Sequence, residues 1–260
     1  MLRRLRHPNL VSLYGACIDP GAAELILVLE HVEGVGFQTV VSRPLEQMGM
    51  PPRIDIAKDV LGALTYLHSR SPAVVHGDVK ASNVLVEGRP SGKMRAKLLD
   101  FGLSSLLSGG TGPCGGTRLW AAPEVLAGVA EPCTSADVYS SGWLVFMAMT
   151  GRHPSEVATE ESLTRCFAAG EASGLAWDEG PAPLAGACLE LCGSCLRFDA
   201  DLRPSMRQVL QVVASWSADE DEPGTRTEET TSIEEALAAV RRRLAAQGHM
   251  QQHRQHFMRL

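Results

Sequence analysis

Apolar residues recur at Ile56, Val60, Leu64 and Leu67 within residues 54–68, the three-to-four spacing of one helix face, and predict a helix there. Two short apolar runs, residues 10–18 and 24–29, flank the turn signal Asp19-Pro20-Gly21 and predict an antiparallel hairpin. Two further strands are expected at 84–86 and 96–99, joined by the turn-rich Gly88-Arg89-Pro90-Ser91-Gly92. Residues 140–150 are apolar nearly all round, which predicts a helix buried on every side. Cys188, Cys192 and Cys195 fall on one face of an expected helix. A zinc site there would need a fourth ligand that is not evident in the sequence, so small core residues are the favoured reading.

This pattern breaks near Ser217. Residues 218–232 are acidic, Thr-rich and almost free of apolar side chains, as expected of a solvated linker. Beyond them Ser232 and Glu235 form a capping box, and Ile233, Leu237, Val240 and Leu244 predict an amphipathic helix suited to docking or self-association. An exposed, fraying helix fits the short stripe equally well. His249, His253 and His256 are expected in a polar tail.

Composition narrows the function classes. The chain has 260 residues, 45% apolar and 21% charged, which is globular rather than disordered. Its net charge of −6 provides no basic field for nucleic acid. The longest purely apolar run, residues 143–149, is far short of the about 20 residues a membrane-spanning helix needs. Seven scattered cysteines and a basic start with no apolar stretch behind it point to a reducing interior. The expected location is cytoplasmic, with the nucleus equally compatible.

The chemistry concentrates in Val75-His76-Gly77-Asp78-Val79-Lys80-Ala81-Ser82-Asn83-Val84, followed downstream by Lys97-Leu98-Leu99-Asp100-Phe101-Gly102. One loop offers an acid, a lysine two residues on and an asparagine five residues on. The second segment brings another acid. Phosphoryl transfer from a metal nucleotide uses these groups: a carboxylate to orient a hydroxyl, a cation for the migrating phosphate, and an amide and a carboxylate for metal ions.

These segments resemble the catalytic loop and Asp-Phe-Gly segment of eukaryotic protein kinases, closest to serine/threonine kinases of the tyrosine-kinase-like group. Ala122-Pro123-Glu124, Asp137-Val138-Tyr139-Ser140-Ser141-Gly142, Leu202-Arg203-Pro204-Ser205 and His7-Pro8-Asn9-Leu10-Val11 resemble further motifs of that family, in its order, over roughly residues 2–215.

The resemblance implies an α+β, protein-kinase-like two-lobed fold with most of the small lobe missing and a mainly helical large lobe. Residues 1–30 would be the small-lobe remnant, 31–216 the hinge and large lobe, 217–231 the linker, and 232–260 the C-terminal helix and tail. It implies that Asp78 orients the substrate hydroxyl, Lys80 contacts the γ-phosphate, and Asn83 and Asp100 hold Mg²⁺. Thr117 would support the catalytic loop. Leu29 matches the gatekeeper, the backbones of Glu30 and Val32 the adenine contacts, and Leu85 the floor beneath the ring. Leu2, Leu13, His76 and Phe101 match a stacked apolar column, with Asp137 anchoring its base, and Arg203 is expected to pair with Glu124. The implied cofactors are ATP and Mg²⁺, and the implied partner is a protein with a Ser or Thr acceptor.

Two departures stand out. The Gly-rich loop, the strand lysine and the helix glutamate of the family would all fall before Met1, so the expectation is a truncated form of an active kinase. Weak or no turnover is expected of the chain as written. The alternative is a pseudokinase or scaffold that binds nucleotide or protein partners without turnover. Gly77 also replaces the arginine that many kinases carry before the catalytic aspartate, so activation through a phosphate–arginine pair is not expected.

Overall fold

The structure is a computed structural model that describes residues 5–19, 24–89, 91–99, 118–158 and 184–216. In chain order, β1 (Leu13–Asp19) and β2 (Glu24–Leu29) form the antiparallel hairpin expected around Asp19-Pro20-Gly21, with Cys17 opposite Ile26 and Gly15 opposite Val28. The first strand begins three residues later than its apolar run. Leu10 and Val11 instead reach the end of another strand, where Leu10 bridges Leu98 and the Val11 N–H donates to the Leu98 carbonyl at 3.0 Å.

Next come β3 (Gly34–Gly36) and the short helices α1 (Phe37–Val41) and α2 (Leu45–Met48), none of which the periodicity announces. The helix expected at 54–68 is α3 (Met50–His68), which starts a turn earlier with Pro51 and Pro52 at its N-terminus, where proline lacks no needed donor. β4 (Val84–Gly88) and β5 (Met94–Leu98) pair antiparallel, Val84 opposite Leu98, and β3 adds to the free side of β4.

Then follow α4 (Pro123–Leu126), α5 (Thr134–Thr150), α6 (Ala185–Cys195) and α7 (Met206–Ala214). The result is an α+β architecture, with seven α-helices and two small sheets among the described residues.

The core forms around α5, which is buried at every position from Ala136 to Met149. It packs against α3 on one side and α6 on another. A Cβ on Gly142 would sit 2.7 Å from the Cβ of Cys195, so only glycine allows α5 and α6 this close. Cys188, Cys192 and Cys195 all point into this contact and are buried, as core residues should be. Burial pushes the Cys195 thiol up to about 12, and the Cys188 contact together with burial raises Cys192, so neither is a ready nucleophile. On the other side of α3 lies α7, whose Ser205–Gln208 capping box closes its first turn and whose Val209, Val212 and Val213 face inward.

Candidate active site

The loop from His76 to Asn83 is held by bonds from two other parts of the chain, α5 and the end of β5. Asp137, buried near the start of α5, accepts the N–H of His76 at 2.8 Å and of Gly77 at 2.9 Å. Its carboxylate also meets the His68 ring at the end of α3, Nε2 to Oδ2 2.8 Å. Gly77 takes φ +76°, the left-handed region that glycine enters freely and that strains other residues by about 1–2 kcal/mol. The turn that presents Asp78 therefore rests on a glycine and on a buried carboxylate 60 residues away. Arginine at position 77 would bring that strain with it.

The His76 ring completes the frame. Its Nδ1 accepts the Asp78 N–H at 3.3 Å, which places the ring proton on Nε2, and Nε2 donates to the Leu99 carbonyl at 2.8 Å. The Leu99 N–H in turn donates to the Asn83 carbonyl at 2.8 Å. The end of β5 and the end of the loop are thereby stitched together immediately before Asp100.

Within the loop, Asp78, Lys80 and Asn83 converge. Lys80 Nζ lies 2.7 Å from Asp78 Oδ2. Asn83 Nδ2 donates to the Asp78 carbonyl at 2.8 Å and to its Oδ2 at 2.9 Å. These bonds assign the amide nitrogen to Asp78, and the amide oxygen is the end not engaged with it. An oxygen so presented, beside a carboxylate, suits a hard divalent cation. Asp78 and Lys80 keep 22% and 21% of their side-chain surface exposed, so a ligand can reach both.

At the other end of the site the segment after Leu29 is tied down through Glu30. Its N–H donates to the Ser12 carbonyl at 2.8 Å, its Oε2 accepts the Ser12 N–H at 3.1 Å, and its Oε1 pairs with Lys97 of β5. Burial pulls the Glu30 carboxyl upward, yet the Lys97 and Ser12 bonds outweigh it and hold the group below the usual carboxylate range. The Val32 carbonyl accepts the Gly34 N–H at 3.0 Å. Not engaged in these bonds are the Glu30 carbonyl and the Val32 N–H, an acceptor and a donor of the kind an adenine edge matches. Leu85 lies half-buried on β4, opposite Lys97. Leu29, at the end of β2, is also half-buried.

Asp100 and Thr117 lie outside the described residues, as do Leu2, Phe101 and the whole C-terminal segment 217–260. Sequence reasoning placed Asp137 and Arg203 but missed His68, Asn9 and the Glu30–Lys97 pair. Asn9 Nδ2 donates to the Ala96 carbonyl at 2.9 Å, and Asp59 accepts the Ala96 N–H at 2.8 Å. Burial raises the Asp59 carboxyl above its ordinary value. Each missed contact joins positions far apart in sequence, and no local signal marks it.

Away from the loop, Arg203 is buried and uses every guanidinium donor. Nη1 and Nη2 grip the two oxygens of Glu124 at 2.6 and 2.8 Å, and the carbonyls of Ser135, Phe198 and Arg197 take the rest. The pair expected from the sequence is thus a bidentate one. It ties α4 to the segment leading into α7.

Among the described residues no helix is long and apolar enough to cross a membrane. The protein kinase domain family matches residues 1–214. A probable serine/threonine-protein kinase of Dictyostelium discoideum is 30% identical over 215 residues, 81% of this chain and 19% of that protein. A probable LRR receptor-like serine/threonine-protein kinase of Arabidopsis thaliana is 33% identical over 227 residues, 81% of this chain and 20% of that protein. The chain thus spans about a fifth of the length of these curated relatives. Among solved structures, the pseudokinase domain of BIR2, an immune regulator of the RLK/Pelle family, superposes with a TM-score of 0.62 at 20% identity, covering 84% of this chain and 70% of that one. That likeness speaks for the fold, and with the family match it leads to one assignment: this chain belongs to the protein kinase domain family.

Proposed function

We propose that this chain carries the catalytic half of a protein serine/threonine kinase, which transfers the γ-phosphoryl of ATP to a Ser or Thr hydroxyl with Mg²⁺ as the metal. The observation that carries the reading is the convergence of Asp78, Lys80 and Asn83 on one loop whose backbone Asp137 holds. Asp78 orients the acceptor hydroxyl and takes up its proton as the oxygen attacks phosphorus. Lys80, now paired with Asp78, is in reach to steady the phosphoryl oxygens. Asn83 offers its amide oxygen to the metal, and Asp100 is proposed as the second ligand. The metal neutralises phosphate charge when bound. Leu29, Glu30, Val32 and Leu85 form the adenine side, and Thr117 is assigned to support the loop. The proposed division remains a small-lobe element to about residue 30, a large lobe to 216, and a linker and helix beyond. A cytoplasmic site of action, with the nucleus equally compatible, is part of the same proposal.

The test is phosphotransfer from radiolabelled ATP to Ser/Thr peptides by the full chain, alongside Asp78→Asn. A slow Mg²⁺-dependent transfer that falls at least a hundredfold in Asp78→Asn is expected. Transfer that is indifferent to Asp78, or no Mg²⁺-dependent nucleotide binding at all, would overturn the reading.

A further inference from the structure

Lys97 is a nearly buried cation on β5. Its side chain is 8% exposed, and Glu30 is its one ion-pair partner among the described residues. A lysine so buried is costly unless it is paired. Its stem stands on backbone that is held from two sides. The neighbouring Ala96 donates its N–H to Asp59 of α3 at 2.8 Å, and its carbonyl accepts from Asn9 Nδ2 at 2.9 Å. On the ladder Lys97 lies opposite Leu85, so the two side chains leave the same face of the sheet. Glu30, at the other end of the pair, is otherwise held by the backbone of Ser12. Ser12 adjoins Leu13, which faces Leu29, so that contact extends the hairpin and does not join it to the other sheet. Between Leu29 and the start of β3 at Gly34, the Glu30–Lys97 pair is the one side-chain bond to β4 or β5 among the described residues.

We propose that Lys97 is a positioning residue for the nucleotide base, a role that rests on the kinase reading of this slot. Acting through Glu30, it sets the spacing between two walls. One wall is the segment 30–32, with the Glu30 carbonyl and the Val32 N–H not engaged in the bonds described above. The other is Leu85, beside Lys97 on the sheet. A slot whose walls are already fixed loses less freedom when a flat ring enters, and that saving appears as affinity. Lys97 itself touches neither base nor phosphate in this account.

Binding reads the proposal directly and needs no turnover. N-methylanthraniloyl-ADP is titrated with Mg²⁺ into the full chain and into Lys97→Met, and adenosine is used to displace it. Lys97→Met removes the buried charge and leaves the Glu30 side chain, 23% exposed, on the Ser12 N–H. Affinity for the nucleotide and for adenosine is expected to fall by the same factor, about fivefold or more, because adenosine offers no phosphate. In a Glu30→Gln background the same substitution should add less than about twofold, as a residue acting through Glu30 requires. Lys97→Gln serves if Lys97→Met fails to fold. Unchanged or tighter binding by the folded variant, a loss that spares adenosine, or losses that add in the double variant overturn the proposal. No nucleotide binding by the unaltered chain overturns the kinase reading itself, and the proposal with it.

Discussion

The loop around Asp78 and the hairpin of β1 and β2 are built on opposite principles. The loop has little regular structure, yet its geometry is set by the buried Asp137 of α5, bonded to two of its amides and to His68, and by the Leu99 backbone just past β5. The hairpin is a backbone ladder, with one register shift between Leu13 and Gly15, and leaves Tyr14, Ile26 and Val28 exposed, at 56%, 50% and 51%. Its ties to the body run through Leu10, Val11 and the Glu30 cluster. The contrast shows that the loop is positioned by satisfied polar groups in a dry interior, where each unmade bond is costly, and the hairpin by its own ladder.

The sharpest way to break the contrast is Asp137→Ala. It strips the buried His76 N–H of its acceptor, at about 1–3 kcal/mol, and frees the part-buried Gly77 N–H, which water can satisfy. A loss of about 2 kcal/mol or more in urea unfolding is expected, and a loss below about 1 kcal/mol would mean that the loop does not depend on this carboxylate. A smaller effect is expected of Gly77→Val, about 1–2 kcal/mol from the left-handed backbone.

A third prediction concerns pH at the junction of the two regions. The Glu30 carboxyl is held below its ordinary value, so its tie stabilises the fold above that value and is lost as pH falls through the lowered one. Hydrogen-exchange protection at the Glu30 amide should drop below about pH 4. Lys97→Met should flatten that drop, and an identical pH profile in the variant would refute the tie.

The smallest effect lies on the hairpin surface. Ile26→Lys with Val28→Lys should change stability by less than about 0.5 kcal/mol while reducing aggregation measured by light scattering. A large destabilisation would show that this face is buried in solution.

The same contrast explains what was legible in the sequence. Asp78, Lys80 and Asn83 lie within six positions, so their order and spacing carried the chemistry directly. α3 was legible because one helix face is apolar, and the hairpin because a turn signal splits two apolar runs. β3 was not, since two of its three residues are glycine. α1 and α2 are too short to show a period. α5 begins six residues before its apolar stretch, because Asp137, Ser140 and Ser141 are buried with partners of their own, Ser140 Oγ donating to the Trp120 carbonyl at 2.7 Å. Glu30 and Lys97 stand 67 positions apart, and only the fold brings them together.

The central claim is that the Asp78 loop is a phosphoryl-transfer site. Its most direct test is the Mg²⁺-dependent rate of transfer from ATP to a Ser/Thr peptide, compared between the full chain and Asp78→Asn. The account predicts a measurable rate that the substitution lowers at least a hundredfold. Measurable rates that are equal in the two chains would contradict it.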